Sequence, residues 1–255
     1  VLVATSVRSC VAQVGGIMLI DGASASVSGG VIHDMVGAIG AAFAMLDAYT
    51  AGGSRAPPAG RGRSTLRLTG GELRDCAATE IAGGFFVSGG RLRVVGTTVQ
   101  RLSSDDDDAL GHFLGGVDAR FERSVVRELS AAKYNGCCQL AEAATLLTFD
   151  NCTLEEWRAT AMGAGTLGQG AHVVIRGSTM RAIDGPTFHG AWMLGSIPGL
   201  PSSSLVANDT SISNVTTKYD AGWAAIWLGS HLEMHRCALT DCSAGNQAGV
   251  LELKG

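Results

Sequence analysis

The chain has 255 residues, of which 46% are hydrophobic, 16% are charged and 5% are aromatic, and its formal net charge is −4. No segment approaches the roughly 18 consecutive apolar residues of a membrane span, and no basic stripe indicates a nucleic-acid partner. Length alone would predict one or two globular domains, but an internal repeat changes that expectation.

The repeat is a twelve-residue pattern that recurs eight times. It reads apolar, any residue, apolar, four variable residues, apolar, two variable residues, apolar. The first copy has Ala25, Val27, Ile32 and Met35 at its apolar positions, and successive copies begin 41, 26, 27, 28, 26, 32 and 27 residues apart. The later copies begin at Leu66, Leu92, Ala119, Leu147, Val173, Leu205 and Leu232, and a truncated copy with Leu2, Val7 and Cys10 precedes them all.

A second pattern, glycine followed by a short apolar run, precedes most copies, as at residues 15–22, 83–89 and 222–229. Period-two apolar spacing in short runs bounded by Gly, Ser and Asp predicts strands. Three short strands per repeat cannot form a closed unit alone, but each can pair with its equivalent one coil away, at about 4.8 Å. We therefore predict an all-β fold, a right-handed parallel β-helix of about nine coils of 25–28 residues.

The same pattern predicts the domain organisation. Residues 1–255 form a single solenoid domain, and because both ends lie inside a repeat, we expect it to be part of a longer solenoid. Two gaps exceed the repeat length, near residues 47–64 and 196–204, and both have the Gly, Pro and Ser content of loops. We interpret them as outward insertions on a rigid rod, where binding residues are often displayed.

The seven cysteines fall into three groups. Adjacent Cys137 and Cys138 lie near Cys152 in sequence, so a disulfide from either of them to Cys152 stays an open alternative. Another slot is shared by Cys152 and Cys237. The last apolar position of the pattern contains Cys10, Cys76 and Cys242. We therefore predict that these three side chains pack in the core as small hydrophobic groups.

The strongest charged cluster is a run of four carboxylates at a turn between coils: Asp105, Asp106, Asp107 and Asp108. Carboxylate oxygens are calcium ligands, so this run is a weak Ca²⁺ candidate, and a solvated acidic turn is the alternative. The six histidines show no metal-ligand spacing. No other cofactor is predicted.

Three of the five asparagines begin N-x-[ST] triplets: Asn151, Asn208 and Asn214. All three occupy variable slots of the repeat, which should face outward. They are candidate N-glycosylation sites and favour a secreted or cell-surface glycoprotein.

The glycine-led pattern contains Trp192, Trp223 and Trp227. We expect core positions for these side chains. An outward position for one or two of them, depending on strand register, would suit stacking on sugars.

The repeats resemble those of the pectin-lyase-like superfamily, and more narrowly those of polymorphic outer-membrane proteins and similar surface proteins. The resemblance rests on G-G-I-M at residues 15–18, on G-G-F-F at 83–86, and on L-x-x-C at 73–76 and 239–242. Those repeats carry F-x-x-N where this chain has L-x-x-C, which is a departure. The resemblance implies a right-handed parallel β-helix, a fold that hosts many activities.

We therefore expect an extracellular or cell-surface scaffold with a structural or adhesive role and no catalysis. Its partners would be other protein subunits or surface glycans, within a larger assembly. One alternative is a polysaccharide lyase or glycoside hydrolase, which needs outward carboxylates on neighbouring coils. The matched row, which contains Glu122, Asp150, Arg176, either Asp209 or Asn208, and His235, is mixed, and the sequence motifs of polygalacturonase-like hydrolases are missing. The other alternative is a carbohydrate-binding module.

Overall fold

The structure, a computed structural model, describes residues 1–20, 22–47, 63–141, 144–160, 163–168, 170–185, 191–195, 201–227, 229–246 and 248–254. All regular secondary structure in these ranges is β-strand. Within them, no helix is long and apolar enough to cross a membrane. Most of the two insertions, residues 48–62 and 196–200, lies outside the described residues.

Thirty strands follow one another in the described ranges. The first ten are β1 Leu2–Val3, β2 Ser6–Arg8, β3 Val11–Val14, β4 Ile17–Ile20, β5 Ser24–Ser28, β6 Val31–His33, β7 Val36–Ile39, β8 Phe43–Leu46, β9 Thr65–Thr69 and β10 Glu72–Ile81. The next ten are β11 Phe85–Ser88, β12 Arg91–Val95, β13 Thr98–Ser104, β14 Gly111–Leu114, β15 Asp118–Glu122, β16 Val125–Ala131, β17 Cys138–Leu140, β18 Leu146–Asp150, β19 Thr153–Ala159 and β20 Gly165–Leu167. The last ten are β21 His172–Arg176, β22 Thr179–Asp184, β23 Trp192–Leu194, β24 Ser204–Asn208, β25 Ser211–Thr217, β26 Ala224–Trp227, β27 His231–His235, β28 Ala238–Thr240, β29 Ser243–Ala244 and β30 Leu251–Lys254.

The strands form three parallel sheets that run the length of a right-handed β-helix. Sheet A has the order β1-β5-β9-β12-β15-β18-β21-β24-β27, and sheet C has the order β4-β8-β11-β14-β17-β20-β23-β26-β30. Sheet B has the order β2-β6-β10-β13-β16-β19-β22-β25-β28, with β3, β7 and β29 as additional short strands. The predicted all-β parallel β-helix with three strands per coil is confirmed.

The register confirms the alignment of the repeat. Leu66 pairs with Ala25 on one side and with Leu92 on the other, and the pairing continues through Ala119 and Leu147 to the last copy. The 41-residue and 32-residue gaps both keep this register. Insertions therefore leave the coil without shifting the ladder, as expected for a solenoid.

A left-handed residue explains the three-residue spacing of the L-x-x-C pattern. Side chains alternate along a regular strand, so residues three apart should face opposite sides. Leu73 and Cys76 nevertheless both face the core, because Asp75 between them has φ 53° and takes up the extra position like a bulge. The same position is left-handed in every coil, at Ser9, Asp34, Asp75, Arg101, Glu128, Glu156, Ala182, Asn214 and Asp241.

The corner from sheet A to sheet B is a two-residue turn. Its first residue is again left-handed, as Asn151 is with φ 53°. Its second residue points inward and bonds the backbone: Ser124 Oγ donates to Glu122 O at 2.9 Å, and the Thr97 amide donates to Ser124 Oγ at 3.2 Å. Equivalent turn positions with a hydroxyl or thiol are Thr5, Thr97, Ser124, Cys152, Ser178, Thr210 and Cys237.

The corner from sheet B to sheet C requires small residues, because the backbones of adjacent coils approach closely there. A Cβ on Gly83 would lie 2.3 Å from Ser103 O and 2.9 Å from Ala109 O, both of which are backbone atoms. The glycine pair that begins the second sequence pattern therefore makes room for the neighbouring coil.

The first insertion is closed at its base. Asp47 ends the preceding coil and accepts hydrogen bonds from the amides of Ser64 and Gly22, the latter at 3.3 Å. Asp47 and Ser64 are both buried. These bonds hold the two ends of the insertion against the rod, which is how the ladder keeps its register across the gap.

Candidate functional site

The acidic run does not converge on one point. Asp105 is exposed, and Asp106 pairs with Lys133, Nζ to Oδ1 at 2.9 Å. Asp107 and Asp108 turn toward Asn135 of the next coil, whose Nδ2 lies 3.0 Å and 2.9 Å from their respective Oδ1 atoms. Among the described residues, no group of three or more His, Cys, Asp or Glu side chains could hold a metal ion.

Asp108 is fully buried and anchors a polar network under the outer face of sheet C. Its Oδ2 lies 2.6 Å from His112 Nδ1, and the Thr166 hydroxyl donates to Asn135 Oδ1 at 2.8 Å. The His112 ring stacks on Phe86 with centroids 5.7 Å apart. Burial raises the pKa of the Asp108 carboxyl to about 7, partly opposed by the bond from His112.

Asp108 is buried because of its slot in the coil. It has φ 58°, and the equivalent corner positions in earlier coils are Gly15, Gly40 and Ala82, with φ 55°, 59° and 62°. Aspartate tolerates this left-handed conformation better than most residues. The solvated-turn interpretation therefore fits Asp105 but is wrong for Asp108.

All seven cysteines are free thiols, so the open alternative of a bridge to Cys152 is not realised. Cys137 and Cys138 are fully buried where β17 of sheet C begins, and Cys152 lies in the corner from sheet A to sheet B. Burial raises the pKa of the Cys137 thiol well above its ordinary value and that of Cys76 to about 12. These thiols stay protonated and unreactive at neutral pH.

The three candidate glycosylation sites lie where the repeat predicts. Asn151 and Asn214 are exposed, and both hold the left-handed conformation. Asn208 is half-buried at the end of β24, and its triplet ends in Thr210, whose hydroxyl bonds Asn208 O at 2.9 Å. Asn214 and Thr216 are both exposed, which makes this triplet the most accessible of the three. Glycosylation itself stays a prediction.

Two of the three tryptophans occupy the core positions that the sequence predicts. Trp192 and Trp223 are fully buried, and Trp192 packs beside Gly165 of the preceding coil. Trp227 is half-buried at the end of β26.

Charges on the outer faces pair both within a coil and between neighbouring coils. Arg93 binds Asp118 through two hydrogen bonds of 2.9 and 2.5 Å. Each of the cross-coil pairs joins residues one repeat apart, and the others are Asp75 with Arg101, Asp106 with Lys133, Arg120 with Asp150, Glu155 with Arg181, and Asp209 with Arg236. The predicted row from Glu122 to His235 is one ladder position, as expected, but only Asp150 in it takes part in these pairs.

A groove centred on Arg158 runs along the outer face of sheet B. Two adjoining hollows of about 310 and 280 Å³ share Arg158 and follow the solenoid axis. The first is lined by Arg158, Ala182, Ile183, Asp184, Asn214 and Thr216, and the second by Glu128, Leu129, Ser130, Glu156 and Arg158. We call this feature the Arg158 groove.

The groove forms where the left-handed residue bends each strand of sheet B. Glu128, Glu156, Ala182 and Asn214 occupy that position in four consecutive coils. Arg158 and Glu156 have no ionic partner among the described residues, whereas Asp184 Oδ1 accepts from the Thr216 hydroxyl at 3.1 Å. The groove thus offers free donors and acceptors to a ligand lying along the axis.

The sequence alone does not single out these residues. A signal was present, because Ser130, Arg158, Asp184 and Thr216 each follow the last apolar residue of their copy directly. Alternation after an inward residue makes them outward. What the sequence does not show is the bend that turns a row of outward residues into a groove.

Comparison of the chain with protein-family models, with curated proteins and with solved structures finds no match in any of the three. The fold is therefore known from the strand ladders, and the groove must be interpreted from its own residues.

Proposed function

We propose that this chain is an extracellular or cell-surface β-helix scaffold with a structural or adhesive role and no catalysis, of the kind found in the surface-protein repeats that its sequence resembles. The carrying observation is the set of cross-coil ion pairs on the outer faces. Two examples are Arg93 with Asp118 and Arg236 with Asp209, which join one coil to the next. These ion pairs occupy charged side chains of the kind that an active site would use. Exposed pairs contribute about 0.2–1 kcal/mol each, so their value lies in number.

The outward asparagine triplets support the proposed location. Asn151 is exposed at the corner from sheet A to sheet B, and Asn214 is exposed at the bend within β25, where an attached glycan would not disturb the ladders. The seven cysteines are unpaired, and the scaffold needs no disulfide bonds, because the long ladders and the continuous apolar core hold the coils together.

The proposal is tested by secretion and attachment. The chain is expressed behind a secretion signal in a eukaryotic host, and its mass is measured before and after enzymatic removal of N-glycans. We expect a mass loss that shrinks in Asn151→Gln and Asn214→Gln variants, and we expect beads coated with the chain to adhere to cell surfaces. A secreted, folded protein without glycans and without adhesion would refute the proposal.

A second candidate function, a carbohydrate-binding module, is favoured by the Arg158 groove. It is elongated along the axis and carries charged and hydroxyl-bearing side chains, which suits a chain-like ligand rather than a compact one. The notion of exposed tryptophans as the binding surface is not supported for Trp192 and Trp223, which are buried.

A further inference from the structure

The groove residues limit the chemistry of the ligand. The lining has one guanidinium, Arg158, and the carboxylates Glu128, Glu156 and Asp184. The flanking position adds two arginines and one glutamate, so that three cations face four anions: Arg127, Arg158 and Arg181 against Glu128, Glu155, Glu156 and Asp184. Such a balanced field favours neither a polyanion nor a polycation.

The groove also offers little to an apolar ligand. Leu129 and Ile183 point into the core, with 1% and 0% of their surface exposed, so they contribute only backbone to the lining. Apart from the Ala182 methyl group, the side chains left for contact carry hydroxyls, carboxylates, an amide and a guanidinium. These groups donate and accept hydrogen bonds in alternation, which matches a ligand rich in hydroxyl groups.

The length of the groove indicates an extended ligand. Its lining comes from β16, β19, β22 and β25, four neighbouring strands of sheet B. Three strand spacings correspond to about 14 Å along the axis. We propose that the Arg158 groove binds a neutral oligosaccharide, held at its centre by the Arg158 guanidinium.

This glycan has two sources. One is a free oligosaccharide from a neighbouring surface. The other is the chain's own glycan, because Asn214 lines the groove and begins an N-x-T triplet, so a sugar attached there starts inside it. A tethered glycan would occupy the groove by high effective concentration and exclude free ligand.

The test starts with protein made in a bacterial host, which carries no N-glycan. Calorimetry measures binding of neutral hexasaccharides of glucose, mannose and xylose, with oligogalacturonate and chitosan oligomers as anionic and cationic comparisons. We expect a neutral hexasaccharide to bind best, and Arg158→Ala to weaken it about tenfold, the effect of losing a charged hydrogen bond. Arg176→Ala, on the outer face of sheet A and away from the groove, is the matched control and should retain affinity.

A second arm identifies the source. Glycosylated protein from a eukaryotic host is compared with its Asn214→Gln variant. If only the variant binds the free hexasaccharide, the groove holds its own glycan; if both bind, it holds a glycan from outside. Each result supports the proposal.

Three results would overturn it: no neutral oligosaccharide binding at millimolar concentration, tighter binding of either charged oligomer, or equal losses in Arg158→Ala and Arg176→Ala. The inference rests on the carbohydrate-binding candidate. If a neutral oligosaccharide bound equally well to Arg158→Ala, only the proposal that it binds in the Arg158 groove would be rejected. If no oligosaccharide bound at all, the carbohydrate-binding function would be rejected as well. The scaffold function would still be decided by its own adhesion test.

Discussion

Asp75 and Arg101 occupy the same left-handed position in consecutive coils and share two hydrogen bonds, Nε to Oδ1 at 2.6 Å and Nη2 to Oδ2 at 3.0 Å. Arg74 adds a third bond at 2.5 Å. The bond from Arg101, supported by Arg74, lowers the pKa of the Asp75 carboxyl to about 2 from 3.8. One carboxylate thus bridges two coils at the bend that defines the fold.

Asp75→Asn should lower the free energy of unfolding by about 0.5–1 kcal/mol at pH 7, since asparagine keeps the left-handed backbone but loses the charge. Because the folded pKa is depressed, this stabilisation is complete above about pH 4 and is lost as the pH falls through about 2. Urea unfolding of both proteins between pH 2 and 7 measures the difference. Asp241→Asn, at the equivalent position and without an ion pair to any residue that the structure describes, should change stability by less than about 0.5 kcal/mol.

Asp108 should show the opposite pH dependence. Its folded pKa, about 7, lies above its ordinary value of 3.8, so the folded state binds a proton that the unfolded state lacks between these values. Its contribution to stability is therefore greatest in acid and falls as the pH rises through about 7. The groups facing it are His112, Asp107 and Cys137, and Asp107 also has its pKa raised by burial.

Asp108→Asn should flatten this slope by more than about 1 kcal/mol between pH 4 and 7, leaving a smaller slope from Asp107. The exposed Asp105→Asn is the control and should leave the slope unchanged. An unaltered pH profile in Asp108→Asn would mean that this carboxyl is not the buried acid described here.

The repeat predicts the fold well because its apolar positions are inward ladder positions. Ala25, Leu66 and Leu92 pair as aligned, and even the truncated first copy pairs Val7 with Ile32. The pattern does not show why its last two apolar residues are three positions apart, when side chains on one face of a strand are two apart. That depends on a backbone angle, which residues as different as Asp75 and Arg101 adopt.

The polar sites were harder to predict, because burial of a polar side chain depends on its corner slot. Four adjacent aspartates look equivalent in sequence, yet Asp105 is exposed and Asp108 is buried. The available signal was alignment of Asp108 with the small corner residues Gly40 and Ala82. For the Arg158 groove, the sequence indicates outward residues, but the curvature that joins them comes from the folded coil.

Gly83→Ala should destabilise the protein by about 3 kcal/mol, at the upper end of overpacking costs, because the new Cβ would meet the carbonyls of Ser103 and Ala109. Backbone atoms held in two ladders cannot move aside. Gly168→Ala is the control, since a Cβ there meets nothing within 4 Å, and it should be nearly neutral. Thermal unfolding of the two variants measures the contrast, and equal midpoints would contradict the close approach of the coils.

Thiol labelling should separate two classes of cysteine. Cys76, Cys137, Cys138 and Cys152 are buried, while the half-buried ones are Cys10, Cys237 and Cys242. With iodoacetamide at pH 8, we expect the half-buried thiols to be labelled at least about tenfold faster, since the buried thiols need local opening and thiolate formation. Peptide mass spectrometry follows each site. Seven labelled cysteines after denaturation without reductant would confirm free thiols, and fewer would indicate a disulfide.

Cys152 offers a test of the turn at the corner between sheets A and B. Its Sγ lies 3.4 Å from Phe121 O and 3.5 Å from Asp150 O, the pattern that Ser124 makes with Val94 O and Glu122 O. Cys152→Ser should therefore change the unfolding free energy by less than about 0.5 kcal/mol.

Cys152→Val keeps the apolar bulk but removes the donor to both carbonyls, so it should cost about 1–2 kcal/mol. Urea unfolding measures the free energy of unfolding of both variants. Because both substitutions are at the same position, the burial of the site is the same in the two proteins. If valine proved the more stable of the two, the position would be an ordinary apolar core slot, and the hydroxyl and thiol donors at these corners would contribute nothing to stability.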